Sequence, residues 1–245
     1  MKTLAVFFAI FLLFGSTLFA QVGINIENSA PDSSAMLDVK STSKGFLPPR
    51  LTISQRDSIS SPVAGLTIYN SSKNCTETYN GVAWVSNTHY IGESYGGGIV
   101  FYVYDNGQHG LIAATADQSP AIRWYGGSNT FTRARAEGVG AGLKNTSIII
   151  ANQGAVDGNP FAATVCNEYS VTVDGVTYGD WYLPSKHELN LLYLQMAVVG
   201  GFANGGYFSS SEFNDYFAWI QDFSDGSQFF HFKYYSFSVR AVRAF

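Results

Sequence analysis

Apolar and polar positions change rhythm several times along the chain. Leu189, Leu192, Tyr193 and Met196 recur at i, i+3, i+4 and i+7, the single stripe of an amphipathic helix. Just before it, Asp180, Trp181 and Leu183 read as the end of an extended segment that Pro184 closes. Ser185 and Glu188 then form a Ser-x-x-Glu capping box, which satisfies amides left open at a helix start. So direct a passage from strand to helix predicts that 179–189 is the centre of a fold.

Elsewhere the rhythm is that of strands and turns. Residues 98–115 predict a hairpin about Asp105-Asn106-Gly107, and 171–178 a smaller one about Asp174-Gly175. Short helices are expected at 146–153 and 160–169. Four further extended runs follow at 207–212, 217–223, 228–234 and 237–245. Asp225-Gly226 forms the turn between the middle two. Phe217, Trp219 and Phe223 share one face, broken by Gln221, and aromatics in this number predict core layers.

Residues 21–87 read differently. Their apolar pieces (22–26, 35–39, 65–69 and 78–84) are short and separated by Ser, Thr, Asn and Pro, with a hairpin signal at Asn80-Gly81. None is long enough to make a core within one chain. Such a segment packs on the rest of the protein or pairs with copies of itself. Residues 1–20 read as a signal peptide: Lys2, an apolar run over 4–14, then Gly15, Ser16 and Ala20. The expectation is a secreted or cell-surface protein with no membrane span after cleavage. The chain thus divides into 1–20, a β-rich segment 21–88 that reads equally as fibre-like or as a linker with local hairpins, and a larger domain 89–245.

Composition narrows the picture. Charged residues make up 13%, aromatics 16%, and there are 25 glycines, which suits strands and turns rather than a helical bundle. From His89 onward 8 basic side chains face 13 acidic ones, a balance expected to repel nucleic acid and anionic membranes. Cys75 and Cys166 form no framework. A bridge and two buried free thiols both fit the compartment.

Motifs for chemistry are absent. Gly92-Glu-Ser-Tyr-Gly96 matches a nucleophile elbow in letters, but a strand follows it where a helix is required. The triple glycine 96–98 lacks the Lys-Ser/Thr of a phosphate loop. His89, His109, His187 and His231 are scattered beside no nucleophile. Asp222 with Asp225, or Glu212 with Asp215, are the carboxylate pairs a glycoside hydrolase would need, the least favoured reading. Arginines near aromatics at Arg123, Arg133 and Arg135 offer a grip on an acidic sugar, but the favoured expectation is local pairing with Glu137 or Asp117.

Two resemblances follow from these residues. Residues 37–51 (Leu-Asp-Val-Lys-Ser-Thr-Ser-Lys-Gly-Phe-Leu-Pro-Pro-Arg-Leu), Gln55-Arg56-Asp57, Pro62, 65–70 and 79–84 resemble shaft segments of phage tail fibres and bacterial surface fibres, which implies a homotrimer. Gly179-Asp-Trp-Tyr-Leu-Pro-Ser-Lys-His-Glu-Leu189, Tyr207-Phe-Ser-Ser-Ser-Glu212, Ala218-Trp219 and Val239-Arg-Ala-Val-Arg243 resemble the C-terminal domain family of the bacterial collagen-like adhesin Lcl. That resemblance implies an α+β, C-type-lectin-like domain whose long loops display a ligand surface. Tyr182 stands where many members have Arg, and Phe208 where Trp is usual. The acidic balance argues against carrying over a sulfated ligand. No Cys follows Cys166, which removes the chemistry of the related sulfatase-modifying enzymes. The calcium motifs of sugar-binding lectins are missing.

The expectation is therefore a non-enzymatic adhesin or fibre tip that meets extracellular carbohydrate or protein. Its alternative is a purely structural subunit of a surface or fibre assembly. The candidate contact residues are Glu212, Asn214, Asp215, Tyr216, Asp222, Tyr234 and Tyr235, with one of the two last tyrosines expected in the core. The structural frame is Asp180, Trp181, Leu183, Pro184, Ser185, Glu188, Leu189, Trp219, Arg240 and Arg243. Of the two arginines, at least one is expected to be the buried partner of a carboxylate such as Asp180 or Glu188. No cofactor is expected. Glu212, Asn214 and Asp215 offer three oxygen donors, short of the 6–8 that Ca²⁺ takes.

Overall fold

The structure, a computed structural model, describes residues 21–86, 88–154 and 156–245; the expected leader lies outside the described residues. Strands predominate over a few helices, and they are arranged in open sheets.

The N-terminal part opens with a parallel pair, β1 (Val22–Ile24) and β2 (Leu37–Val39). Next come β3 (Arg50–Leu51), a short helix Ile53–Asp57, β4 (Thr67–Asn70), β5 (Cys75–Tyr79) and β6 (Trp84–Ser86), in the order β3-β4-β5-β6. Asn80-Gly81 lies in the β5–β6 turn, as its sequence predicts. Thr52 and Gln55 cap the helix reciprocally. The helix holds Arg56 over the sheet, where its guanidinium meets the buried carboxylate of Glu77 at 2.8 and 3.0 Å. Lys73 Nζ at 3.0 Å and Asn70 Nδ2 at 2.9 Å complete that cluster. A buried carboxylate with three donors ties helix to sheet where apolar side chains are few.

The C-terminal part holds two larger sheets and one small one. Strands β7 (Ser94–Tyr95), β8 (Gly98–Tyr104) and β9 (His109–Ala113) join β17 (Val242–Ala244) in the order β17-β9-β8-β7. Strands β10 (Ser119–Arg123), β13 (Gly206–Glu212), β14 (Phe217–Asp222), β15 (Gln228–Phe232) and β16 (Ser236–Val239) form the second, in the order β10-β16-β13-β14-β15. Strands β11 (Val171–Val173) and β12 (Val176–Tyr178) make the small hairpin. The helices are Ala141–Gln153, Ala162–Asn167, Lys186–Leu194 and Met196–Val199, so the first starts earlier than its apolar pattern suggests. The 3.6-residue stripe does not run on to Met196, because Gln195 (φ −113°, ψ 16°) separates the last two helices.

The predicted centre of the fold is where two cores meet. Trp181 and Leu183 point into a core with Val100, Trp124, Phe161, Phe208 and Val239. Tyr182 points the other way, into a core with Phe101, Leu111, Leu189, Leu192, Tyr207 and Phe223. The alternation of an extended chain thus serves both sides at once. Each fully buried large apolar side chain contributes about 1.5–3 kcal/mol. Ser185 caps the helix as expected, accepting from the Glu188 N–H at 3.2 Å. Glu188 is fully buried and faces no cation. Its carboxylate accepts from the N–H groups of Gly140 (2.7 Å), Gly142 (3.0 Å) and Ser185 (2.7 Å), and from the Tyr182 hydroxyl (3.0 Å). Tyr182 therefore fills its position with a donor rather than a charge, and burial raises its phenol far above the ordinary range.

The two arginines divide the expected roles. Arg243 pairs with Asp180 at 2.7 and 2.9 Å, near the surface. The buried one, Arg240, pairs with Asp117 at 2.6 Å rather than with Asp180 or Glu188, and it also donates to Gly201 O at 2.6 Å and Ala114 O at 3.0 Å. Arg123 reaches across to Asp157, 34 residues away, which holds that carboxyl down at about 2. Local pairing with Glu137 or Asp117 does not occur for it. Cys75 and Cys166 are both free and buried, and burial raises the Cys166 thiol well above its usual value.

Candidate functional surface

The contact residues expected from sequence fall around the β14–β15 hairpin, but not all reach solvent. Asp225-Gly226 makes the turn; Gly226 sits at φ +82°, and a Cβ there would lie 2.6 Å from the Tyr193 ring. The register pairs Phe217 with Phe232, Trp219 with Phe230 and Gln221 with Gln228 on one face of the hairpin. On the opposite face, Ala218 and Ile220 are buried. The chain therefore buries its small and aliphatic positions and leaves the aromatic face partly open. The expectation that these aromatics are core layers holds for Phe223 and fails for Phe217 and Trp219.

The open face is a run of touching rings. Phe213 stacks on Phe230 with centroids 4.2 Å apart and planes 2° from parallel. Phe217 meets Phe230 at 5.4 Å and Phe232 at 4.3 Å, and Phe232 meets Tyr234 at 5.1 Å. Tyr235 continues the run 5.0 Å from Tyr234. At the other end the Lys186 ammonium sits 3.4 Å over the Trp219 ring, a cation–π contact. The first turn of the helix Lys186–Leu194 places that lysine, and the Lys186 N–H donates to Ser211 Oγ at 2.9 Å.

Tyr216, Tyr234 and Tyr235 are exposed, the last two at 50% and 48%, so neither is the core residue that alternation suggests. They follow the end of β15, where the strand pattern no longer applies. Asn214 folds its own loop: its Oδ1 accepts from the Tyr216 and Phe217 N–H groups, both at 2.9 Å. Asp215 is half-buried beside them. Asp222 likewise shapes a turn, accepting from the Ser224 N–H at 2.8 Å.

Glu212 is turned inward. Its carboxylate meets Lys233 Nζ at 2.6 Å and accepts from the Thr132 and Arg133 N–H groups at 2.8 and 2.7 Å. Lys233 also lies 4.6 Å over the Trp124 ring and donates to Thr130 O at 3.0 Å. Burial lowers the lysine from its usual range, against the pull of Glu212. Glu212 is thus committed to the interior, and sequence reasoning missed Lys233 as its partner. The available signal was one lysine within a run of aromatics. Among the described residues no group of three or more His, Cys, Asp or Glu side chains is placed to hold a metal ion.

A second concave feature, about 630 Å³, lies where the N-terminal part meets β8, lined by Lys73, Thr76, His89, Tyr90, Val103 and Tyr104 among others. Elsewhere the N-terminal part leaves many apolar side chains in solvent. Ile26, Met36, Phe46, Leu47, Val63 and Val82 are each at least two-thirds exposed. No described helix is long and apolar enough to cross a membrane.

A family model for a phage tail like trimerisation region matches residues 23–111, which covers the whole of β1–β9 except the first residue of β1 and the last two of β9. No curated protein matches the chain.

Proposed function

We propose that the chain is a subunit of a trimeric fibre- or tail-like assembly, with residues 23–111 as the trimerising region and the remainder as the part it displays. One observation carries this reading. β1 and β2 form a two-stranded parallel sheet with Val22, Ile24, Leu37 and Val39 all exposed and no core of its own. A sheet of two strands gains too little from burial to stand alone, and copies of the same segment would cover these side chains. The trimerisation match over the same residues supports the reading. In it the protein is structural, exported and free of cofactor.

The aromatic face favours a second role on the same scaffold, recognition of extracellular carbohydrate or protein. Ring faces stack on sugars and apolar side chains, and the hydroxyls of Tyr216, Tyr234 and Tyr235 can hydrogen-bond at the rim. The resemblance to the adhesin domain, with its C-type-lectin-like fold, supports this too.

Sedimentation equilibrium of the chain from Gln21 tests the main reading. The expected mass is that of three chains or a whole multiple of three, and that factor of three is lost in an Ile24→Asp/Leu37→Asp variant whose circular dichroism is retained. A monomeric wild type sinks it.

A further inference from the structure

We propose that β15 is an open sheet edge that pairs with β15 of a second copy, antiparallel and two-fold, joining one assembly to another. The bonding parity of the hairpin sets the geometry. Asp222 N–H donates to Ser227 O and Lys233 N–H to Tyr216 O, both at 2.9 Å. Bonded pairs alternate along an antiparallel ladder, so His231 and Phe229 face β14. Gln228, Phe230 and Phe232 turn their N–H and C=O groups outward, and among the described residues no strand lies beyond them. The outward Phe232 N–H is taken by its neighbour, His231 Nδ1, at 2.9 Å.

The other edges of the two larger sheets in the C-terminal part are blunted, and this one is not. β10 carries Pro120, a register shift and the ion-paired Arg123. β7 is two residues long. β17 is three, carries Arg243 and is bridged at Val242 by Tyr182. These are the usual devices against edge-to-edge association. β15 reads Gln-Phe-Phe-His-Phe, with no Lys, Pro or acid, and Phe229, Phe230 and Phe232 are all exposed.

The strand is complementary to itself. Antiparallel pairing centred on Phe230 places Phe230 against its counterpart and Gln228 against Phe232. No like charges meet, and aromatic cross-strand pairs extend the Phe213–Phe230 stack into the second copy. Pairing of identical edges requires a two-fold axis. A three-fold axis cannot supply one, so in a trimer each β15 finds its partner in another trimer. Only this choice of partner rests on the trimer reading. Pairing at the edge leaves the aromatic face itself open.

Sedimentation velocity of the chain from Gln21, wild type beside Phe230→Pro and Phe230→Lys, separates the two claims. A factor of three in mass belongs to the N-terminal part; a factor of two belongs to β15. Proline at 230 removes an outward N–H and no bond to β14, the position an edge strand tolerates. The lysine adds a charge at the centre of the proposed pair. The expected result is a doubled assembly for wild type and its undoubled form for both variants, with unchanged circular dichroism. A wild type that never doubles, or folded variants that double as it does, overturns the proposal.

Discussion

Lys233 Nζ lies 2.6 Å from Glu212 Oε1, and neither side chain has any contact with solvent. Such a pair is worth little against an apolar substitute but is costly to break from one side. Lys233→Met should therefore lose about 3–5 kcal/mol in urea unfolding, because it strands a buried carboxylate. Lys233→Met/Glu212→Leu should recover most of that loss. Equal losses in the single and double variants would show that packing, not stranded charge, sets the cost.

Glu188 makes a different demand. A Cβ at Gly142 would fall 2.4 Å from Glu188 Oε2 and 2.7 Å from Leu183 O, both held in place. Gly142→Ala should lower stability by about 1–3 kcal/mol, as an overpacked site does. The loss would appear as a lower melting temperature with the aromatic face undisturbed. A neutral outcome would mean that the loop 138–142 shifts freely, against the bonds from Gly140 and Gly142.

Alkaline stability reports on Tyr207. Burial pushes its phenol up to about 12, and its hydroxyl donates to Asp117 Oδ2 at 2.8 Å. The unfolded phenol titrates near 10. The raised folded value therefore favours the fold fully below about 10, and this contribution is lost as pH rises to about 12, at about 1.4 kcal/mol per pH unit. Tyr207→Phe should be less stable at neutral pH, having lost the bonds to Asp117 and Ala203, and its alkaline slope should be shallower by one proton. Parallel curves for the two proteins would sink the assignment.

If the aromatic face recognises a ligand, Tyr234→Ala with Tyr235→Ala should abolish binding on a broad glycan or protein array without changing the melting temperature by more than a degree or two. Both rings are half exposed, so their loss removes contact area and little core. Glu212→Gln, by contrast, should act through stability. A blank array with folded wild type leaves the structural reading alone.

The features legible in the sequence are those that local chemistry specifies. The capping box of Ser185 and Glu188, the turns at Asn80-Gly81, Asp174-Gly175 and Asp225-Gly226, and the extended 181–183 are all where their residues put them. Partner choice was not legible. One of Arg240 and Arg243 could be assigned to burial, but not which, nor that the partner is Asp117, 123 residues from Arg240; Glu212 likewise could not be assigned to Lys233. Alternation named the two faces of β14, but the bulk of Phe217 and Trp219 pointed to the wrong one as core, because Ala218 and Ile220 are less conspicuous. Beyond the strand end it misled outright, at Tyr234 and Tyr235.

Consider when the C-terminal part can close. β17 pairs with β9, and Tyr182 exchanges backbone bonds of 2.8 and 3.0 Å with Val242. Arg240, which follows β16, closes the backbone carbonyls of Ala114 and Gly201. Strands made early thus wait for partners made more than a hundred residues later. Contacts of that separation slow folding. Both cores therefore stay open until the last few residues, Val239 to Val242, have left the ribosome.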